Sequence, residues 1–261
     1  MPATDFACAE LAGGGWACID FISDLHLQAS ESATLAAWQR YMQSTPADAL
    51  FLLGDLFEVW VGDDALSLPF ESHCAAILRE TSVRIPVYCM HGNRDFLLGS
   101  AFLAATHMHA LADPTVLSAH GQRYLLTHGD ALCLGDTAYQ DFRRLVRSPA
   151  WQTPFLAQPL AQRQHIAQQL RAQSQSAQSE RSSQGLGFSD VDHAEVSRWQ
   201  TLAKADHVVH GHTHRPFDHA LVIENGKTAM RHVLSDWDAT ANPPRLQVLR
   251  LSASGMQRLG V

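Results

Sequence analysis

The chain has 261 residues, 46% of them apolar and 17% charged, with a formal net charge of −7 at pH 7. That length can bury a large core without covalent staples, and the negative balance gives no general attraction to nucleic acid. Five widely spaced cysteines (Cys8, Cys18, Cys74, Cys89 and Cys133) form no Cys-x-x-Cys pair, so reduced packing thiols in the cytosol are expected rather than disulfides. No Lys or Arg precedes Arg40, and no apolar run approaches the ~18 residues of a spanning helix, so neither a secretory leader nor a membrane span is expected.

Residues 1–15 read as a flexible Gly-rich extension ahead of one domain over 16–261. Apolar segments at 17–22, 49–53 and 85–90 are short, bounded by turn residues and separated by stretches of helical character, which predicts βαβαβ. Later segments at 122–127, 207–210, 219–223, 229–234 and 246–251 are joined mostly by short turns, with a hairpin expected at Glu224-Asn225-Gly226-Lys227. The pattern predicts an α/β fold of two packed mixed β-sheets flanked by helices. Residues about 137–187 interrupt it: Gln and Ser accumulate, and 139–147 and 159–172 read as helices, so an inserted helical cap is expected there.

Between 142 and 179 the chain carries Arg143, Arg144, Arg147, Arg163 and Arg171 but no Asp or Glu, which favours an anionic partner. Trp151, Phe155, Leu156, Leu160, Ile166 and Leu170 supply apolar surface in the same stretch. They suit a ligand with both phosphate and hydrocarbon, or they pack the cap onto the core.

Seven potential metal ligands occur in order at turn positions: Asp24 and His26, Asp55, Asn93, His128, then His212 and His214. All but the last pair directly follow an apolar run that reads as a strand. Mixed carboxylate, imidazole and amide ligands suit a pair of divalent ions that activate water against phosphorus esters and anhydrides. Asp55, midway in the series, is the expected bridge between one ion held by Asp24, His26 and His214 and another held by Asn93, His128 and His212. Arg94 adds a permanently charged fork for a phosphoryl group. Asp95 and Asp130 read either as orienters of the ligand loops or as turn caps.

The blocks Asp24-Leu25-His26, Gly54-Asp55, Gly92-Asn93-Arg94-Asp95, Thr127-His128-Gly129-Asp130 and Gly211-His212-Thr213-His214 resemble the calcineurin-like metallophosphoesterase superfamily. That resemblance implies a four-layer sandwich, and Arg94 departs from it where many members carry a histidine. Residues 54–64, 91–99 and 211–216 are more closely similar to the branch that hydrolyses UDP-2,3-diacylglucosamine in lipid A biosynthesis of Gram-negative bacteria. The resemblance implies UMP and a diacylated glucosamine 1-phosphate as products, two manganese ions as cofactor, and a cap enclosing the acyl chains. It also implies peripheral association with the cytoplasmic face of the inner membrane, with no required protein partner. Carried over residue by residue, it assigns Asp55, Asn93 and Arg94 to catalysis and Asn93, Arg94, Asp136, Ser174, Gln178, Arg181 and His212 to the substrate. Gln178 and Arg181 stand where the family commonly has Asn and Lys. Alternatives from the residues alone are another dinuclear phosphodiesterase or phosphatase, and a lipid- or nucleotide-binding module without activity.

Overall fold

A computed structural model describes residues 6–183, 190–222 and 228–261, with side chains placed outside 173–183 and Val222. Strand β3 (Ala49–Leu53) is buried along its whole length, because both of its faces are covered. Ala49, Phe51 and Leu53 face the space between two sheets, while Leu50 and Leu52 face helices, the continuous apolar run expected of a central parallel strand. Strand β2 (Cys18–Ile22) and β4 (Val87–Met90) flank it in parallel, and β5 (His109–Leu111) extends the order. On the other side β11 (Gln247–Ser252) pairs antiparallel with β2, and β12 (Gly255–Gly260) closes the edge.

The second sheet runs β1 (Ala9–Ala12), β6 (Thr115–Ala119), β7 (Gln122–Leu126), β8 (His207–His210), β10 (Thr228–Val233), β9 (Phe217–Val222). Leu117, Tyr124, Leu126 and Val209 from this sheet meet Phe21, Phe51 and Met90 from the first in a shared core. Helices α1 (Ser32–Ser44), α2 (Pro69–Arg84) and α3 (Ser100–Thr106) cover the outer face of the first sheet through Trp38, Met42, Leu78 and Phe102. Helix α7 (His193–Ala203) covers the second through Val196 and Ala203. Helix, sheet, sheet, helix is the four-layer order that the sequence suggests.

The stretch from 137 is helical: α4 (Thr137–Val146), α5 (Pro149–Leu156) and α6 (Leu160–Ser183). Helix α5 escaped the sequence reading although Ser148 caps it and Pro149 occupies its first turn, a recognised start signal. Phe155 is buried, and Trp151, Leu160 and Ile166 pack against the core beneath, so most of the apolar residues in this stretch serve packing.

Two expectations need correction. The extension before Trp16 is not flexible throughout, because Ala9–Ala12 pairs in parallel with β6, its backbone groups completing the sheet edge. The arginine excess between 142 and 179 is also answered from within the chain. Arg143 and Arg147 meet Asp130, Arg163 meets Asp64 and Arg171 meets Glu58, all acids on the body of the domain. The proposed turn at Glu224-Asn225-Gly226-Lys227 lies outside the described residues, between antiparallel β9 and β10.

Candidate metal centre

Five strand ends open onto one place. Asp24 and His26 follow β2, Asp55 follows β3, Asn93 follows β4, His128 follows β7, and His212 and His214 follow β8, so the last pair also leaves a strand. The chain must turn sharply there, and five of these seven residues hold left-handed backbone: Asp24 (φ 52°), His26 (47°), Asp55 (53°), His212 (65°) and His214 (53°). Such conformations cost about 1–3 kcal/mol each for residues with a side chain and gather where a site over-determines them. Gly54 (φ 92°) lets the strands approach: a Cβ there would stand 2.5 Å from Nδ1 of His128 and 2.7 Å from Cα of Gly92.

Ligand atoms of Asp24, His26 and His214 lie within 4.8 Å of one another, as do those of Asp24, Asp55 and His128. Oδ1 of Asp24 is buried without a hydrogen-bond donor. It stands 3.3 Å from Nε2 of His214 and 3.9 Å from Nε2 of His26, and those two nitrogens are 3.1 Å apart. Oδ1 of Asn93 links the remaining pair, 3.0 Å from Nε2 of His128 and 2.8 Å from Nδ1 of His212. All seven sequence-chosen ligands therefore meet. Asp24 has a place in both of the first two groups, and Asp55 stands in the one with His128.

Nδ1 of His128 donates to the carbonyl of Leu53 at 2.9 Å, which fixes the tautomer and turns Nε2 toward Asn93 and Asp55. When neutral, this imidazole places its lone pair against the amide oxygen of Asn93, so a positive charge is needed among them. The electrostatics agree. Burial alone would lower His128, but Asp55, Asp24 and Asp130 push it up to about 9. Burial likewise opposes ionisation of Asp24, yet the imidazole of His214 beside it, with those of His128 and His26, holds it well below the usual carboxylate range. Burial and the charge of Asp24 raise Asp55 against His128 and Arg94. His212 is lowered to about 3, first by burial and then by His128. Carboxylates that recruit a proton onto a buried imidazole are matched better by a divalent cation, and this oxygen and imidazole set fits one.

Asp95 accepts from the backbone N–H groups of Leu56 and Gly92, both at 2.7 Å, tying the Asp55 and Asn93 loops together. Asp130 accepts from Tyr139 Oη at 2.6 Å and Arg143 Nε at 2.7 Å, anchoring α4. Both orient loops and neither joins a ligand group. Arg94 lies over Asp55, its backbone N–H donating to Oδ1 at 2.9 Å and its Nε 3.4 Å from Oδ2. Asp136 caps α4 by accepting from Tyr139 N at 3.1 Å. The side chains of Ser174, Gln178 and Arg181 lie outside the described residues. Sequence reasoning counted Arg147 only among the arginines for an anionic partner and missed its bond to the carbonyl of Gly92 at 2.9 Å, as it missed the Tyr139 ring stacked on His212, 6.0 Å between centroids.

The family model for calcineurin-like phosphoesterases matches residues 19–216, which contain all seven ligands. The chain belongs to the calcineurin-like phosphoesterase family. Family members use divalent metal ions, in keeping with the ligand groups described above. Within the family, the chain is 43% identical to the UDP-2,3-diacylglucosamine hydrolase of Xanthomonas campestris pv. campestris (strain B100) over 242 residues, 90% of this chain and 96% of the relative. The protein of that name from Chromobacterium violaceum is 44% identical over 229 residues, covering 84% and 90%. The one from Ralstonia nicotianae is 46% identical over 242 residues, covering 88% of each. Among the described residues of this phosphoesterase, no helix is long and apolar enough to cross a membrane.

Proposed function

We infer that this chain hydrolyses the diphosphate bond of UDP-2,3-diacylglucosamine, releasing UMP and 2,3-diacylglucosamine 1-phosphate in lipid A biosynthesis. Relatives bearing that substrate in their names match over most of the chain, and the site has the family's chemistry. The observation that carries the reading is the meeting of carboxylate, amide and imidazole ligands at five strand ends beside Arg94.

Asp24, His26 and His214 would hold one cation and Asn93, His128 and His212 a second, with Asp55 as the carboxylate assigned to bridge them. Manganese is the cation proposed, since these ligands also accept iron, zinc or cobalt and the choice rests on analogy. Bound there, the cations supply Lewis-acid charge and lower the pKa of water. Asn93, Arg94 and His212 face phosphate oxygens. Nε of Arg94 is close to Asp55 and Nη1 donates to Glu58, so among the described residues Nη2 is the edge left for the substrate. A phosphoanhydride releases a phosphate whose second ionisation lies near pH ~6, so the bond can break without a proton donor where Arg94 stands.

The segment over about 137–187 is assigned as the cap over the acyl chains, with Asp136, Ser174, Gln178 and Arg181 as further substrate contacts. The substrate is a membrane lipid, so the protein is placed at the cytoplasmic face of the inner membrane, without a required protein partner.

The test compares UDP-2,3-diacylglucosamine, UDP-glucose and bis-p-nitrophenyl phosphate after chelation and readdition of Mn²⁺. The acylated substrate should be strongly preferred, and Asp55→Ala should be inactive on all three. Equal rates on the three compounds would remove the substrate assignment, and full activity of Asp55→Ala would remove its role at the metals.

A further inference from the structure

Glu58 sits in the loop leaving β3, three positions after Asp55, and belongs to neither ligand group. Its carboxylate is divided between two guanidinium groups from different parts of the chain. Oε2 accepts from Nη1 of Arg94 in the Gly92-Asn93-Arg94-Asp95 turn. Oε1 accepts from Nε and Nη2 of Arg171 on α6, at 3.0 and 2.6 Å. Oε2 also lies 3.6 Å from Nδ1 of His26, the nitrogen that faces away from Asp24 and His214.

These three side chains are half-buried at the mouth of the ligand cluster, and the value of the trio lies in where it stands. Arg94 has a long side chain with many rotamers, and a transition state gains most from a charge already in place when the substrate arrives. Asp55 Oδ2 attracts Nε from 3.4 Å without a hydrogen bond to it, so the bond from Nη1 to Glu58 is what orients the guanidinium. Two guanidiniums so close to one another repel, and the carboxylate between them removes that repulsion while the trio keeps a net positive charge for an oxyanion. The second guanidinium ties this arrangement to α6, the helix that Arg163 hooks onto the same loop through the carbonyl of Val61 and the carboxylate of Asp64.

We propose that Glu58 is a positioning residue for hydrolysis: it fixes the Arg94 guanidinium beside the ligand cluster and, through Arg171, makes that orientation follow the position of α6. The inference rests on the assignment of Arg94 to the phosphate, made above. It has a consequence for turnover: a substrate that engages α6 steadies the charge that acts on its own diphosphate, so the effect falls on kcat more than on KM.

The test is a mutant cycle with Glu58→Gln, Glu58→Ala, Arg94→Ala, Arg171→Ala and the double variant Glu58→Gln/Arg94→Ala. Each is measured with Mn²⁺ for kcat and KM, bound metal per chain and thermal midpoint. Glu58→Gln keeps the shape and should fold where Glu58→Ala does not. Expected are a tenfold or greater fall in kcat for Glu58→Gln, a smaller rise in KM, unchanged metal content, and a double variant no slower than Arg94→Ala alone. Arg171→Ala should also lower kcat. Unchanged kcat in Glu58→Gln, losses that multiply in the double variant, or loss of metal from Glu58→Gln would each overturn the proposal, the last by making Glu58 a support of His26. Running the cycle on both UDP-2,3-diacylglucosamine and bis-p-nitrophenyl phosphate separates the two claims. If the wild type cleaves only the diester, the substrate assignment fails, and the cycle on the diester still decides the role of Glu58.

Discussion

Gly54 shows how the centre depends on single atoms. Its left-handed backbone disfavours any side chain, and the space a Cβ would need is taken by the ring nitrogen through which His128 is fixed to Leu53. Gly54→Ala should therefore lose roughly 1–3 kcal/mol of stability from backbone strain alone. It should also weaken metal binding, because His128 must swing away from Asn93. Chemical denaturation and a Mn²⁺ titration of the variant check both, and a variant with wild-type metal affinity would show that the ring can stay in place. The ligands themselves were legible in the sequence because each stands in a short motif at the end of an apolar run. Glu58 and Arg147 were not, since their roles depend on partners 36 and 55 positions away in the chain, which no local pattern reveals.

Among the elements, the strands that bear the ligands were readable, as was the edge strand β9, whereas the edges β1, β5 and β12 and the interior strand β6 were not. Strands β2, β3, β4, β7 and β8 carry dense apolar runs because they are covered on both faces, and these are the strands whose ends bear the ligands. Strand β1 has the sequence Ala-Glu-Leu-Ala, which has no strand preference of its own, and it forms by pairing with β6. Strand β5 is three residues long, and β12 begins at a glycine after a tight turn. Helix α6 was legible as a helix, but its attachment was not. Arg163 is 2% exposed, and its guanidinium is spent on Val61, Gln158 and Asp64. Arg163→Ala leaves those acceptors unpaired and should destabilise the protein by about 1–3 kcal/mol. Because α6 also steadies Arg94 through Arg171 and Glu58, kcat should fall on both the acylated substrate and bis-p-nitrophenyl phosphate, and if α6 lines the acyl chains KM for the acylated substrate should rise severalfold in addition. Equal losses on both would mean that α6 serves the whole site and not the lipid.

At the scale of the molecule, two sheets bring strand ends separated by nearly 200 positions onto one edge, from Asp24 after β2 to His214 after β8. The helical stretch beyond His128 folds back so that Arg147 and Arg171 reach the loops of Asn93 and Asp55. The order of motifs announced that convergence, but the spacing of the carboxylates is a matter of three-dimensional placement: Asp24 stands with His26 and His214 and also with Asp55 and His128. The account stands on two cations within that cluster. Anomalous diffraction from a crystal grown with manganese measures this most directly: two peaks are expected, one among Asp24, His26 and His214 and one among Asn93, His128 and His212. A well-occupied crystal with no peak between those atoms, or with manganese only elsewhere on the surface, would contradict it.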